Sequence, residues 1–319
     1  MVSAFIESIR GNMRLRGYSL ATEKTYLLWI KRFIHFCDLQ HPETVDVSKI
    51  EEYLTYLATE RYVSVNTQKV VLNSLVYLFE KYLKRKVGNL GFKLASKQRH
   101  LPTVLSKTEI QLILRQFADR NKLVIELLYG SGLRVEECLS IRLQDINFDR
   151  ASIVVRNGKG RKDRQTLLGL SSIAGLEIQM QYAMAIHKKD AALGISAAMS
   201  PALQRKYPSA YSLPAWAFLF PSPRHCAHPY TGELCRYHLH PSLVRKFLGI
   251  ATIAAGITTK RVTCHTFHHS FATHMLAAES DIRTVQELLG HNDVKTTQIY
   301  THVLGRHYSG ASSPLDDLN

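Results

Sequence analysis

The last third of the chain is organised around the stretch His265-Thr266-Phe267-His268-His269-Ser270-Phe271-Ala272-Thr273-His274. If this stretch is helical, three of its histidines share one face, because residues at i, i+3 and i+4 are neighbours on a helix. A tyrosine follows in Gln298-Ile299-Tyr300-Thr301-His302. A tyrosine hydroxyl is a covalent nucleophile when its surroundings accept the proton, and imidazoles donate, accept or bind an anion. The stretch therefore predicts a nucleophile beside a group of proton carriers.

The charge of the chain indicates what kind of anion it meets. Lys and Arg number 41 against 26 Asp and Glu in 319 residues, which gives a net charge of +15. Such an excess favours a polyanion, either nucleic acid or an anionic membrane surface. A basic protein with a small substrate is the alternative that composition leaves open.

Membrane insertion and secretion are not expected. No apolar run reaches the roughly 18 residues that a spanning helix needs. The first residues carry Glu7, Arg10, Arg14 and Arg16, so they lack the apolar core of a secretory signal. The five cysteines are widely spread, which is not typical of a disulfide framework. We therefore expect a soluble protein of a reducing cytosol.

Hydrophobic periodicity predicts a mainly α protein with a small β-sheet. Residues 1–90 predict a bundle of four amphipathic helices, and residues 91–104 predict an extended basic linker. Residues 105–319 predict a second helical domain, with a hairpin of strands near 151–155 and 165–168 and an irregular insertion at about 187–245. Two Ser-x-x-Glu patterns, beginning at Ser48 and Ser106, predict helix-opening capping boxes.

Several short motifs together resemble the tyrosine recombinase family, the lambda-integrase-like site-specific recombinases. Leu-Tyr-Gly-Ser-Gly-Leu-Arg-Val-Glu-Glu resembles the family's first-arginine box at Arg134, with Glu137 as its structural companion. Other matching elements are the hairpin Lys159, His265 opening a His-x-x-Arg box, His269, Leu289-Gly290-His291, and the nucleophile box at Tyr300. The resemblance implies a two-domain C-shaped clamp with an N-terminal core-binding, SAM-like helical domain and a C-terminal catalytic domain.

The resemblance also implies a reaction and its residues. Tyr300 would attack a DNA phosphodiester and form a 3′-phosphotyrosyl intermediate that a DNA hydroxyl later resolves. The expected catalytic residues are Arg134, Lys159, His265, His268, His291 and Tyr300. Arg134 would fork onto the phosphate oxygens, and Lys159 would protonate the leaving 5′ oxygen. No metal or other cofactor is expected, because cationic side chains carry the charge. The active form would be a homotetramer on two DNA sites, with C-terminal segments exchanged, in the bacterial cytoplasm at the nucleoid.

A narrower resemblance, to integron integrases, rests on the insertion, which includes Ala202-Leu203-Gln204-Arg205-Lys206-Tyr207-Pro208 and Phe220-Pro221-Ser222-Pro223. It implies recombination of gene-cassette attachment sites, including folded single-stranded hairpins as well as duplex DNA. Flipped bases would stack on aromatic or imidazole rings, although a packed aromatic mini-core is the alternative. The candidate DNA contacts are Lys24, Lys31, Arg32, Lys69, Arg161, Lys162, Arg164, Trp216, His238 and His240.

One residue departs from the family pattern. His268 stands where the second arginine is expected, and an imidazole offers one donor where guanidinium offers a fork. We therefore expect this chain to bind DNA but to cleave it poorly. A catalytically silent DNA-binding or synaptic protein is one alternative. A metal-dependent phosphodiesterase is another. Histidines 265, 268, 269 and 274 have spacing that a metal site could use, and His225, Cys226, Cys235 and His238 could hold zinc; scattered side chains without a metal are the alternative to both.

Overall fold

The computed structural model describes residues 4–88, 101–156, 163–209 and 213–300. The chain divides into two compact units, Met1–His100 and Leu101–Asn319. Both are mainly helical, and the second also contains two small sheets, which confirms the predicted fold class. None of the helices in the described ranges combines the length and apolarity needed to cross a membrane.

The first unit is a bundle of four α-helices around one apolar core. Its helices are α1 (Ala4–Leu15), α2 (Leu20–Phe36), α3 (Ser48–Thr59) and α4 (Val65–Val76). Ile9, Ile30, Phe33 and Leu75 are fully buried where the helices meet. The predicted fourth helix is continued from α4 by a π-helical segment, Tyr77–Tyr82, which widens the backbone spiral.

Only one of the two predicted capping boxes is present. Ser106 accepts a hydrogen bond from the Glu109 N–H, and Glu109 accepts one from the Ser106 N–H. The prediction at Ser48 is wrong, because Ser48 is already the first helical residue of α3. Asp46 does the capping there, since its carboxylate accepts from the Ser48 N–H at 2.7 Å.

The second unit begins with helices that lead into an antiparallel sheet. The helices are α5 (Lys107–Leu114), α6 (Asp119–Gly130) and α7 (Val135–Leu139). The strands are β1 (Ile146–Asn147), β2 (Ser152–Val155) and β3 (Arg164–Leu167), in the order β1-β2-β3. Ile153 pairs with Thr166 in this sheet, so β2 and β3 form the predicted hairpin. Its tip, residues 157–162, lies outside the described residues, and so do Lys159, Arg161 and Lys162.

The insertion contains a second sheet that the sequence did not predict. After α8 (Ile173–Ala192) come β4 (Ser196–Ala197), α9 (Pro201–Lys206), β5 (Pro221–Ala227) and β6 (Leu234–His238). The strand order is β4-β6-β5, with β4 parallel to β6 and β5 antiparallel to it. Prolines and a register shift interrupt β5, so it lacks the apolar alternation by which a strand is recognised.

Three further helices follow: α10 (Pro241–Ala254), α11 (Cys264–Ala277) and α12 (Ile282–Leu289). Residues 294–300 are also helical. Helix α11 packs against α6 and is buried along much of its length, including Phe267 and Ser270. The Ser270 hydroxyl oxygen accepts the Leu105 N–H at 3.0 Å, which fixes the start of the unit against α11. The histidine-bearing helix is therefore a largely buried element of this unit.

Candidate active site

A carboxylate flanked by two arginines forms one wall of the site. Glu137 accepts from Arg134 Nη1 at 2.9 Å and from Arg164 Nη1 and Nη2 at 2.9 and 2.8 Å. It also caps α7 by accepting the Arg134 backbone N–H at 2.9 Å. Burial alone would raise the Glu137 pKa, but hydrogen bonds and charge from Arg164, and then from Arg134, outweigh it and lower the pKa to about 2. Glu137 therefore stays ionised and orients the Arg134 guanidinium.

The same two arginines hold the end of α12. Arg134 donates to the Leu289 carbonyl at 3.0 Å, and Arg164 Nε donates to the Leu288 carbonyl at 2.9 Å. Cations at these carbonyls also interact favourably with the partial negative charge at the C-terminal end of the helix. The predicted DNA contact at Arg164 does not fit these bonds. Its side chain is 10% exposed and holds the site together from inside.

Two glycines are required by close approaches around these residues. Gly132 has φ +61°, and a Cβ there would lie 2.5 Å from the Phe271 ring. Gly290 caps α12 with φ +63°, and a Cβ there would lie 2.9 Å from Arg164 Cδ. Both the left-handed backbone and the lack of space exclude a side chain. The Gly-x-Arg and Leu-Gly-His patterns therefore have a packing reason.

His268 is buried and fully engaged inside the protein. Its side chain is 2% exposed, and Nδ1 donates to the Gly132 carbonyl at 2.6 Å. Burial and then the charge of Arg134 lower its pKa to about 3. The ring is therefore neutral at pH 7, with its single N–H used by a backbone carbonyl.

His291 lies between His268 and the helix that carries the tyrosine. Its Nε2 is 3.4 Å from His268 Nε2, and its Nδ1 is 3.0 Å from the Thr297 hydroxyl. Its ring is nearly parallel to that of Tyr300, with the centroids 6.3 Å apart. Thr297, which is fully buried, thus sets the orientation of His291.

Tyr300 reaches the face of α11 in its own chain. Its hydroxyl is 2.8 Å from His269 Nδ1, and the residue is 2% exposed. Burial raises the Tyr300 pKa to about 12, although the charge of Arg134 opposes the rise. Burial, His265 and Arg134 lower the pKa of His269 to about 4. A protonated phenol therefore faces a neutral imidazole.

His265 stands at the exposed end of this group. Its ring centroid is 6.4 Å from that of His269, one turn along α11. Burial of part of the ring, followed by the charges of Arg134 and Arg245, lowers its pKa. The structure thus brings together Arg134, His265, His268, His291 and Tyr300 from the predicted set.

Two features of the site were not predicted. The bond from Tyr300 to His269 joins positions 31 residues apart, and the Arg164–Glu137 pair joins positions 27 apart. Helical spacing did put His269 on the face of His265, which was the available signal. Nothing local in the sequence indicates which carboxylate Arg164 meets.

The predicted DNA contacts of the first unit are accessible. Lys24, Lys31, Arg32 and Lys69 are all exposed or partly exposed. The Arg32 guanidinium lies over the Trp29 ring, 4.7 Å from its centroid, and this cation–π contact orients the Arg32 side chain. Contact with DNA at these positions stays a prediction.

The aromatic residues of the insertion are partly packed against one another. The Trp216 ring is 5.7 Å from that of Tyr207, and the Arg142 guanidinium lies 5.6 Å from the Trp216 ring centroid. The His238 ring packs 5.3 Å from Phe218, and its Nδ1 donates to the backbone. The mini-core alternative therefore fits His238 better than it fits Trp216.

His240 has a different setting, because it is exposed at the start of α10. Its Nδ1 accepts the Ser242 N–H at 3.2 Å, which caps that helix. The cap fixes the ring at the surface. Base stacking at Trp216, His238 and His240 stays a prediction.

The zinc alternatives gain no support in the described part of the chain, where no three His, Cys, Asp or Glu side chains are arranged to hold a metal. His225 Nε2 is instead 2.7 Å from Asp190, which also receives two bonds from Arg236. Cys226 and Cys235 face each other across β5 and β6 as free thiols.

Family comparisons agree with this geometry. Residues 103–307 match the phage integrase family, and residues 5–89 match the phage integrase N-terminal SAM-like domain. An integrase/recombinase from Escherichia coli is 41% identical over 317 residues, which cover 98% of this chain and 93% of that protein. Tyrosine recombinase XerC from Lacticaseibacillus casei is 30% identical over 310 residues, covering 92% and 91% of the two chains.

Solved structures share the fold at lower identity. The XerH recombinase bound to palindromic difH substrate has a TM-score of 0.62 at 21% identity, and the alignment covers 96% of this chain and 83% of XerH. The Tn1549 transposon integrase in complex with transposon right end DNA has a TM-score of 0.59 at 16% identity, covering 98% and 96%. The family match over most of the second unit, together with full-length relatives at 30% identity and above, shows that the chain belongs to the phage integrase family of tyrosine site-specific recombinases, a class of DNA strand transferases.

Proposed function

We propose that this chain cleaves and rejoins DNA strands through a covalent bond between Tyr300 and a 3′ phosphate. The observation that carries the proposal is the position of Tyr300 within one chain: its hydroxyl is 2.8 Å from His269 Nδ1, and its ring lies nearly parallel to that of His291, with the centroids 6.3 Å apart. A nucleophile with an unprotonated imidazole nitrogen at hydrogen-bond distance is an arrangement that covalent catalysis uses. The phosphotyrosyl bond keeps the energy of the broken phosphodiester, so rejoining needs no high-energy cofactor.

The charges in the site suit a phosphoryl transition state. The pentacoordinate phosphorus carries extra negative charge on its non-bridging oxygens, and an oriented guanidinium such as that of Arg134 stabilises it. His265, at the exposed end of the site, supplies a further donor, and Lys159 protonates the leaving 5′ oxygen. Each of these roles is carried by a side chain, and the reaction as proposed uses no metal.

We also propose that this form cleaves slowly because of His268. Its one N–H is bound to the Gly132 carbonyl at 2.6 Å, and its other nitrogen is unprotonated because the pKa is about 3. The ring therefore offers no donor to a phosphate oxygen. DNA binding, which depends on many exposed cations, is unaffected in this proposal.

The substrate we propose is the attachment site of gene cassettes, as in integron integrases, both as duplex DNA and as folded single-stranded hairpins. The support is the insertion, whose partly accessible Trp216 and exposed His240 provide surfaces on which unpaired bases can stack. Lys24, Lys31, Arg32 and Lys69 would contact the duplex, and Arg161 and Lys162 would do so from the hairpin tip. The working assembly is a homotetramer on two sites with exchanged C-terminal segments, at the bacterial nucleoid.

A suicide substrate, nicked so that the cleaved end diffuses away, tests the proposal by trapping the covalent adduct. On denaturing gels we expect a covalent adduct with this chain and none with Tyr300→Phe. Tyr300→Phe should bind duplex DNA with the same affinity as this chain. Adduct formation that survives Tyr300→Phe would overturn the proposal. Loss of cleavage with a chelator would favour the metal-dependent alternative.

A second candidate function is a catalytically silent, site-specific DNA-binding or synaptic protein. The occupied N–H of His268 is the observation that favours it. Specific binding without any adduct, even after long incubation, would support this candidate over the first.

A further inference from the structure

The bond between Tyr300 and His269 bears on a step that the proposed reaction requires, namely removal of the phenolic proton. The two atoms are 2.8 Å apart, and the tyrosine is buried. A role for His269 in this step rests on the proposed function, because the proton must leave only if Tyr300 attacks phosphorus.

The chemistry of the two rings sets the direction of this hydrogen bond. A phenol is a better donor than a neutral imidazole N–H, and an unprotonated imidazole nitrogen is a better acceptor than a phenol oxygen. The pKa of Tyr300 is raised to about 12 and that of His269 is lowered to about 4, so both groups are neutral at pH 7. Tyr300 therefore donates, and Nδ1 of His269 holds the lone pair.

Two other histidines of the site, His268 and His291, have their Nδ1 atoms bound elsewhere. His268 Nδ1 is bound to the Gly132 carbonyl, and its Nε2 faces His291. His291 Nδ1 is bound to Thr297. Among the described side chains, His269 is the one hydrogen-bonded to the Tyr300 hydroxyl.

We propose that His269 is the base that removes the proton of Tyr300 during strand cleavage. As the bond from Tyr300 Oη to phosphorus forms, the O–H bond breaks and the proton passes to His269 Nδ1. The bond from phosphorus to the 5′ oxygen breaks at the same time, and that oxygen takes its proton from Lys159. In the reverse step, Lys159, which the forward step leaves neutral, takes the proton of the attacking DNA hydroxyl as that oxygen bonds to phosphorus. The imidazolium of His269 then returns its proton to the departing phenolate.

Two substitutions separate a base from a residue that only positions the tyrosine. His269→Asn keeps a hydrogen-bond acceptor near the Nδ1 position but cannot take the proton, whereas His269→Ala removes both functions. A matched control lies on the same helix, where His274 Nδ1 is 2.9 Å from the Tyr129 hydroxyl. His274→Asn makes the same substitution in that similar histidine–tyrosine bond, away from Tyr300.

The rates are measured in single turnover, in this chain and in the His268→Arg background, on two nicked substrates. One carries the ordinary 5′ bridging oxygen, and the other carries sulfur, which leaves without protonation. We expect both His269 variants to lose about 10²-fold or more on both substrates, the lower end of general-base effects. Lys159→Ala should lose its cleavage rate on the ordinary substrate and regain it on the sulfur substrate. His274→Asn should cleave at the parent rate. The parent's rate should fall towards acid pH, and His269→Asn should lose that dependence.

Three outcomes would overturn the proposal. Near-parent cleavage by His269→Asn, with its fold checked by thermal unfolding, would leave His269 a positioning residue. Rescue of His269→Ala by the sulfur substrate would assign it to the leaving group. Absence of adduct from both parents on both substrates would reject the proposed function itself, and the base with it.

Discussion

Replacing His268 with arginine should raise the rate of DNA cleavage. In the structure the imidazole has its single N–H bound to the Gly132 carbonyl at 2.6 Å. Burial and the charge of Arg134 lower its pKa to about 3, so the ring is neutral at pH 7. An arginine has five N–H donors and a permanent charge, so it can keep the bond to Gly132 and still reach a phosphate oxygen.

The size of the effect depends on the donor that is gained. Removal of one preorganised oxyanion donor costs other enzymes about 10²–10³ in rate, or about 3–4 kcal/mol. We therefore expect His268→Arg to cleave about 10²–10³-fold faster at saturating DNA. His268→Lys, which adds a charge without a fork, should recover less.

Single-turnover cleavage of the nicked substrate measures this gain, with duplex affinity measured at the same salt concentration. Acidification to about pH 5 should not mimic the arginine, because His268 remains unprotonated two units above its pKa. A rate difference below about threefold between the parent chain and His268→Arg, with both shown to be folded, would refute the reasoning, because one gained donor should give at least about 10²-fold. So would a gain explained entirely by tighter DNA binding.

Three other predictions concern different parts of the molecule. Glu137 has a pKa lowered from 4.5 to about 2, so it contributes about 3 kcal/mol of stability that is present above pH 4.5 and lost as the pH falls towards 2. Urea unfolding across this range should show the loss, and Glu137→Gln, which leaves Arg134 and Arg164 without their anion, should abolish it. The slope of log affinity against log salt on duplex should become less steep by about 0.9 in Lys31→Ala if that exposed lysine neutralises one phosphate, and an unchanged slope would exclude the contact. Trp216→Ala should weaken hairpin binding by about 1–3 kcal/mol, the value of one stacked base, while equal losses on hairpin and duplex would contradict stacking.

Local patterns predicted much of the fold because the forces behind them act over a few residues. The apolar spacing of α2 places Ile30 and Phe33 in the core, and the Ser106 box forms as the sequence indicates. The same rule failed at Ser48, because Asp46 lies two residues earlier and captures the Ser48 N–H first. The Ser-x-x-Glu pattern takes no account of Asp46, whose carboxylate binds the same N–H.

The second sheet and the inner contacts of the site depend on pairing between distant residues. Strand β6 is buried at Cys235 and Arg236, and Arg236 is accommodated because Asp190, from α8, compensates its charge. Arg164 resembles a surface residue in sequence, but Glu137 draws it inside in the same way. A charged residue in a strand is predicted to be exposed unless its oppositely charged partner is known. A prediction from a few neighbouring residues cannot identify partners that lie 27 or 46 positions away.

The contacts of His268 satisfy the requirements of folding, which differ from those of the proposed catalysis. A buried polar side chain destabilises a protein unless it is hydrogen-bonded, and His268 meets that requirement through Gly132 while remaining neutral. The surrounding contacts, including Arg134 with Glu137 and Tyr300 with His269, are all in place. The histidine is therefore tolerated by the fold. If Tyr300 attacks phosphorus as we propose, the cost of His268 falls on the transition state, where Arg134 is the one guanidinium at two positions that are both arginine in the family pattern.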